Sequence, residues 1–204
     1  PKMWLPAAAA AAVLAFGSAL ALWAPWRGTT ESQQSVRFEV AQSDAMRFIY
    51  GGAMAVSPDG HWLVFPARSE DGVVRYWLRS LDTVEARVLP GTEGAYVPAA
   101  WTSDSRFVIF SPLAGTPMTS IKKVDIQGGL PQVLGEMRGG FNGASSNRDG
   151  VIVFASSERR APVFRVPAAG GAVMPVTVVA EGDTGHKFPQ FLPDGRRFLY
   201  LRLS

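Results

Sequence analysis

Four aspartates, Asp59, Asp104, Asp149 and Asp194, stand at equal intervals of 45 residues. Carboxylates in such number could serve as general acids and bases, or as ligands for a hard cation such as calcium. Their settings indicate a mechanical use. They occur in "VSPDGHWLVF", "WTSDSRFVIF", "SSNRDGVIVF" and "FLPDGRRFLY", each inside a tight turn ahead of an apolar run. In such a turn proline pre-sets φ, aspartate accepts hydrogen bonds from nearby backbone N–H groups, and glycine tolerates positive φ. Gly60, Gly150 and Gly195 follow three of the aspartates, and Ser105 follows the fourth. Equivalent turns in successive repeats are held apart, so these carboxylates are expected to form turns and not to share a metal or a substrate.

Other reactive types are scarce. There is no cysteine, which removes disulfides and thiolate metal sites. The two histidines, His61 and His186, would need carboxylates brought in by folding to hold a metal. No GxSxG nucleophile elbow occurs; the nearest approach is "GASSN" at 143–147. The expectation is a chain with no catalytic residue, no metal and no cofactor.

The elements that position these residues follow from the period. Self-similarity at about 40–50 residues marks the blades of a β-propeller, four strands to a blade. Each copy divides the same way. A lead-in strand ends at Val56, Trp101, Ser146 or Phe191, and after the turn comes "HWLVF", "RFVIF", "VIVF" or "RFLYL". A third strand reads "RYWLRSL", "SIKKVDI" or "PVFRVPA", and a fourth reads "ARVLP", "PQVLG" or "MPVTV". The expected fold is all-β: a propeller of about three and a half blades, with repeats near 54–98, 99–143 and 144–188 and an incomplete one at 189–204. Trp62, Trp77, Trp101, Phe65, Phe110, Phe154 and Phe164 fall at apolar strand positions and are expected in the core. An array cut short exposes an edge strand and an apolar face, so an open, aggregation-prone arc is expected.

Within that frame His61 directly follows a turn and is expected at the surface. "GDTGHKFPQF" places His186 and Lys187 just ahead of an inner strand, where loops line one mouth of the central channel. They are the candidate binding residues, with His186 suited to pH-dependent contacts. A hydrogen-bonded loop histidine is the competing reading.

Residues 3–26 contain no charge, and Trp4 and Trp23 lie 19 positions apart. On a helix that spacing is about 29 Å, close to the thickness of a bilayer core with tryptophan at both interfaces. A single transmembrane helix over 1–27 is expected, with 28–35 as linker and "VRFEV" at 36–40 as a first strand; a cleaved signal peptide or a buried helix are the alternatives. Pro1 in place of Met implies processing or a fragment of a longer reading frame. Of the 20 basic residues, Lys2 and Arg27 flank this segment, leaving 18 against 17 acids over the rest of the chain. That near-neutral, interspersed balance does not suggest a nucleic-acid partner.

The repeat "VSPDGHWLVF" followed by "YWLRSLDTVEARVLPGTEGA" resembles the TolB-like β-propeller repeat, a relative of the WD-repeat propellers. The order of anchor, first strand and blades is similar to the extracytoplasmic half of bacterial membrane-bound serine/threonine protein kinases. That resemblance implies a kinase domain before Pro1, an inner-membrane location with the propeller outside, and a protein or small-molecule ligand for the propeller. It also implies six blades in a closed ring. No kinase motif occurs in these residues, so kinase activity belongs only to the implied parent. Similar propellers accompany serine peptidases and membrane-bound transcription regulators.

Overall fold

A computed structural model describes residues 13–16, 18, 45–49, 53–96, 99–113 and 117–204. The chain separates into two compact units, Pro1–Phe38 and Glu39–Ser204. In the first, residues 13–16 and 18 are helical. No helix among the described residues is long and apolar enough to cross a membrane. The membrane helix expected over 1–27 otherwise lies outside the described residues, as do the linker at 28–35 and the strand at 36–40.

The second unit is built of antiparallel sheets that repeat in chain order. The first holds β1 (Met46–Phe48), β2 (Ala55–Val56), β3 (Trp62–Ser69), β4 (Val74–Ser80) and β5 (Ala86–Val88). β1 pairs with residues 67–69 of β3 and β2 with residues 63–64, so the two are pieces of one interrupted inner strand. The second sheet runs β6 (Ala100–Trp101), β7 (Phe107–Phe110), β8 (Met118–Asp125) and β9 (Gln132–Arg138). The third runs β10 (Phe141–Ser146), β11 (Val151–Ser156), β12 (Val163–Pro167) and β13 (Met174–Pro175). A two-stranded sheet, β14 (Gly185–Phe191) and β15 (Phe198–Leu203), follows. With β1 and β2 counted as one divided strand, the described residues make three four-stranded blades and the inner pair of a fourth, as the repeat predicted.

The apolar runs after each turn are continuous because both faces of each strand are covered. In β7, Val108 and Phe110 face the first blade, whereas Ile109 faces the third. Phe110 and Tyr76, both fully buried, meet edge-to-face across the first seam with ring centroids 5.8 Å apart. The second seam joins Ile121 and Leu134 to Ile152, Phe154 and Val166. Burying a side chain of this size is worth about 1.5–3 kcal/mol, so each seam is a principal store of stability. Phe65, Trp77 and Trp101 are also buried, and Trp62 and Phe164 pack partly buried against these clusters, as expected of core aromatics.

β15 carries the same kind of run, yet Leu199 is 63% exposed and Leu201 48%. Among the described residues no further sheet covers that face. The inner strands are also irregular. Between Lys187 and Gln190 the pairing of β14 with β15 slips by a residue, and β10 slips likewise between Phe141 and Ala144. At the β10 bulge Gly143 has φ +89°, and a Cβ there would lie 3.3 Å from the Phe188 backbone of the neighbouring bulge. Glycine is required there on both counts.

Candidate functional site

The inner strands β2, β6, β10 and β14 lie side by side, and the turn after each reaches the next. Asp59 N–H donates to Ser105 Oγ (3.0 Å), linking the first turn to the second. Ser103 N–H donates to Ser146 Oγ (2.7 Å), while Ser103 Oγ donates to Asn147 O (2.9 Å). Asn147 Nδ2 donates to Gly195 O (2.8 Å), and Phe191 N–H to Ser145 Oγ (3.0 Å). The turns thus form a hydrogen-bonded belt across successive blades.

Three of the four aspartates serve their own turns. Asp59 Oδ1 accepts from the Ser57 hydroxyl and from His61 N–H (3.0 Å). The Ser57 hydroxyl and then the His61 amide hold its carboxyl below the usual range. Burial pushes Asp104 upward, but the Thr102 hydroxyl and the Arg106 N–H outweigh it and the net shift is downward. Asp194 is held down by the Arg196 amide and by the Arg197 guanidinium, which lies 2.9 Å from its Oδ2. The following position has φ +76° at Gly60, +73° at Gly150 and +66° at Gly195, and Ser105 adopts the same left-handed conformation at +60°.

The third turn works differently. Asn147 Oδ1 accepts from Asp149 N–H (3.1 Å) and Val151 N–H (2.9 Å), the task the aspartate performs elsewhere. Asp149 is therefore released from its turn and lies exposed. "NRDG" contained this signal, because asparagine caps a turn as well as aspartate does. Spacing alone made the four aspartates look equivalent.

The finishing ends of the inner strands and these turns enclose a cleft of about 720 Å³. Ala55, Ala99, Ala100 and Ala144 keep its wall shallow, with Trp101 and Phe191 beside them. Its rim carries Arg148, Asp149, Asp194 and Arg196. The serines of "GASSN" lie on β10, where Ser145 and Ser146 accept the belt hydrogen bonds.

His186 and Lys187, expected in a loop at the channel mouth, are instead inside β14 and almost fully buried. They lie outside the cleft lining, toward the starting end of the strand. With Val163 N–H donating to Thr177 Oγ1 (2.8 Å), the Thr177 hydroxyl proton is free to point at His186 Nδ1, also 2.8 Å away. Nε2 then faces Asp183 Oδ2 at 3.6 Å. Asp183 is itself buried; it accepts from Arg202 Nε (2.8 Å) and Ala180 N–H (3.0 Å). The Arg202 guanidinium beside it holds its carboxyl below the ordinary value. Tyr200 closes over the imidazole, with ring centroids 4.6 Å apart. A hydroxyl, an imidazole and a carboxylate in line resemble a nucleophile relay, but at 1% exposure the imidazole is closed to a substrate. Lys187 Nζ donates to Ser156 O and to Glu158 O (3.3 Å). Burial pushes its ammonium below the usual lysine range, against the opposing Glu158 charge.

His61 is exposed as expected, 4.0 Å from Asp82. Among the described residues no three His, Asp or Glu side chains come together as a metal site. Asp183, Asn147, Arg148 and Arg196 were missed as candidates, because their roles depend on which blade each faces.

No protein-family model and no curated protein sequence matches the chain. Solved structures do. A TolB from Agrobacterium tumefaciens is 21% identical, with a TM-score of 0.61 over 74% of this chain and 53% of that one. TolB from Acinetobacter baumannii is 17% identical, with a TM-score of 0.62 over 74% and 38%. A puromycin hydrolase is 18% identical, with a TM-score of 0.57 over 82% and 27%. The chain thus spans about half or less of the length of these proteins. At such identities the likeness is one of fold. The fold is the TolB-like β-propeller, of which the described residues make three blades and the inner pair of a fourth.

Proposed function

We propose that this chain is a non-catalytic binding module, the membrane-tethered propeller of a receptor-type serine/threonine protein kinase, holding a protein or small-molecule ligand outside the cell membrane. The observation that carries the binding role is the cleft at the finishing ends of the inner strands. Its rim side chains project from turns whose backbone is already locked by the belt, so they are pre-organised to meet a ligand. The uncharged segment at 3–26, with tryptophans at both ends, supports the tether. The resemblance of the order of anchor, first strand and blades to kinase sensor halves supports the parent protein.

A second reading is favoured by the likeness to a puromycin hydrolase: the propeller of a hydrolytic enzyme, gating access to a separate catalytic domain. The reading frame on either side of this sequence tests both. A Gly-rich loop, a His-Arg-Asp motif and an Asp-Phe-Gly motif before Pro1 are expected. A GxSxG elbow after Ser204 would replace the kinase reading with the hydrolase one. A winged-helix segment upstream would replace it with a membrane-bound regulator. Protease protection in spheroplasts tests the location: the propeller is expected to be digested from outside, and complete protection would overturn the tethered, external placement.

A further inference from the structure

The rim of the cleft is uneven in charge, and the unevenness is confined to one seam. Asn147 and Gly195 are joined by the 2.8 Å hydrogen bond that ties the third turn to the fourth. Arg148 and Arg196 are the next residue after each, so their side chains flank the same seam, and both line the cleft. Both are exposed. Neighbouring arginines on the turns are engaged: Arg106 Nε lies 3.0 Å from Asp125, and Arg197 Nε lies 2.9 Å from Asp194. No such ion pair holds Arg148 or Arg196 among the described residues. Of the two carboxylates on the rim, Asp194 is committed to Arg197 and to its own turn. Among the described residues Asp149 has no such partner, because Asn147 has taken over its turn.

Two available guanidinium groups and one available carboxylate leave the seam with one uncompensated positive charge. A single carboxylate balances it and presents the planar oxygen pair that guanidinium forks grip. A phosphate dianion overshoots the balance and meets the repulsion of Asp149. Beside the seam the wall presents Val56, Ala100, Ala144 and Phe191 alongside polar groups of Ser103, Asn147 and Gln190, so a main chain meets hydrogen-bonding partners and an apolar side chain meets a surface. We infer that the cleft binds an extended peptide segment carrying one carboxylate beside apolar residues, with Arg148 and Arg196 as its anchors. This rests on the binding-module reading and names the chemistry of its ligand. It does not depend on which larger protein the module serves.

The test uses the whole chain in detergent and fluorescence anisotropy of labelled peptides. Acetyl-Leu-Glu-Leu-amide is expected to bind, and the Leu-Gln-Leu analogue to bind about tenfold more weakly or worse. Arg148→Ala and Arg196→Ala are each expected to weaken the Glu peptide about tenfold, with no change in thermal midpoint, since neither side chain supports the fold. Asp149→Asn is expected to admit a Leu-phosphoserine-Leu peptide that the unaltered chain rejects. Equal binding of the Glu and Gln peptides, indifference to both arginine variants, preference of the unaltered chain for the phosphopeptide, or no binding at all would each overturn the inference. A kinase domain found upstream would leave the module reading standing through any of these failures. A hydrolase domain found downstream would replace the kinase parent without touching a positive peptide result.

Discussion

The two ends of the inner strands use similar polar residues to opposite effect. At the starting end of β14, Asp183, His186 and Lys187 are sealed at 2%, 1% and 7% exposure, and each is bonded within the protein. At the finishing ends, the turn residues are tied to one another through backbone groups and short side chains, while Arg148, Asp149 and Arg196 lie open to solvent. A sealed polar group has no water to replace a lost partner, so its bonds become part of the fold. A wet one can exchange water for a ligand at little cost. The sealed end is therefore a latch between the third blade and the fourth, and the wet end is the place for recognition.

The largest effect is expected from Asp183→Ala, which leaves the Arg202 guanidinium and the Ala180 N–H without their acceptor and removes the carboxylate that faces the buried imidazole at 3.6 Å. Its thermal midpoint, followed by circular dichroism, should fall further than that of any variant at the wet end. A fall no greater than that of Asp149→Ala would erase the distinction between the two ends. His186→Ala should cost about 2–3 kcal/mol in urea unfolding, through a lost ring and an unpaired Thr177 hydroxyl.

Acid provides a graded version of the same comparison. Asp59, Asp104, Asp183 and Asp194 all have carboxyls held below their ordinary values, so the folded chain binds protons less readily than the unfolded one. Their contribution is complete above the unfolded carboxylate value of about 4 and is lost as pH falls through the lower folded values. Stability measured from pH 6 downward should hold and then drop below about pH 4, with Asp183→Asn making that drop shallower. An unchanged acid limb in Asp183→Asn would deny the latch its part in it.

Smaller still is Asn147→Ala, expected to cost about 1 kcal/mol through loss of the turn cap and the tie to Gly195. Smallest is Asp149→Ala, expected to remain within about 0.5 kcal/mol of the parent. This last pair sharpens the argument most, because a turn aspartate and a turn asparagine two positions apart should trade their usual importance. Equal costs would mean that Asp149 caps its turn as Asp59 does.

Much of the fold could be read in advance. The inner strands end at Val56, Trp101, Ser146 and Phe191 as the repeat predicted. Runs such as "FVIF" were legible because alternate side chains go to different seams and every position is apolar. The site was less legible. His186 and Lys187 were expected to be open to ligand, yet β14 begins before them, and the bulge between Lys187 and Gln190 leaves both on the sealed part of the strand. Asp183 drew no expectation from the sequence; its value as a latch comes from Arg202, which β15 returns from 19 residues away.

The amino-acid sequence by itself determined the period, the turns and the blade order, because these rest on interactions within about ten residues: proline and glycine dihedrals, aspartate caps and strand alternation. Tertiary structure decided which turns were tied to one another and which histidine was sealed. The ties between turns join residues 43–48 positions apart, between one blade and the next. There a change of residue in one repeat alters the surroundings of its neighbour.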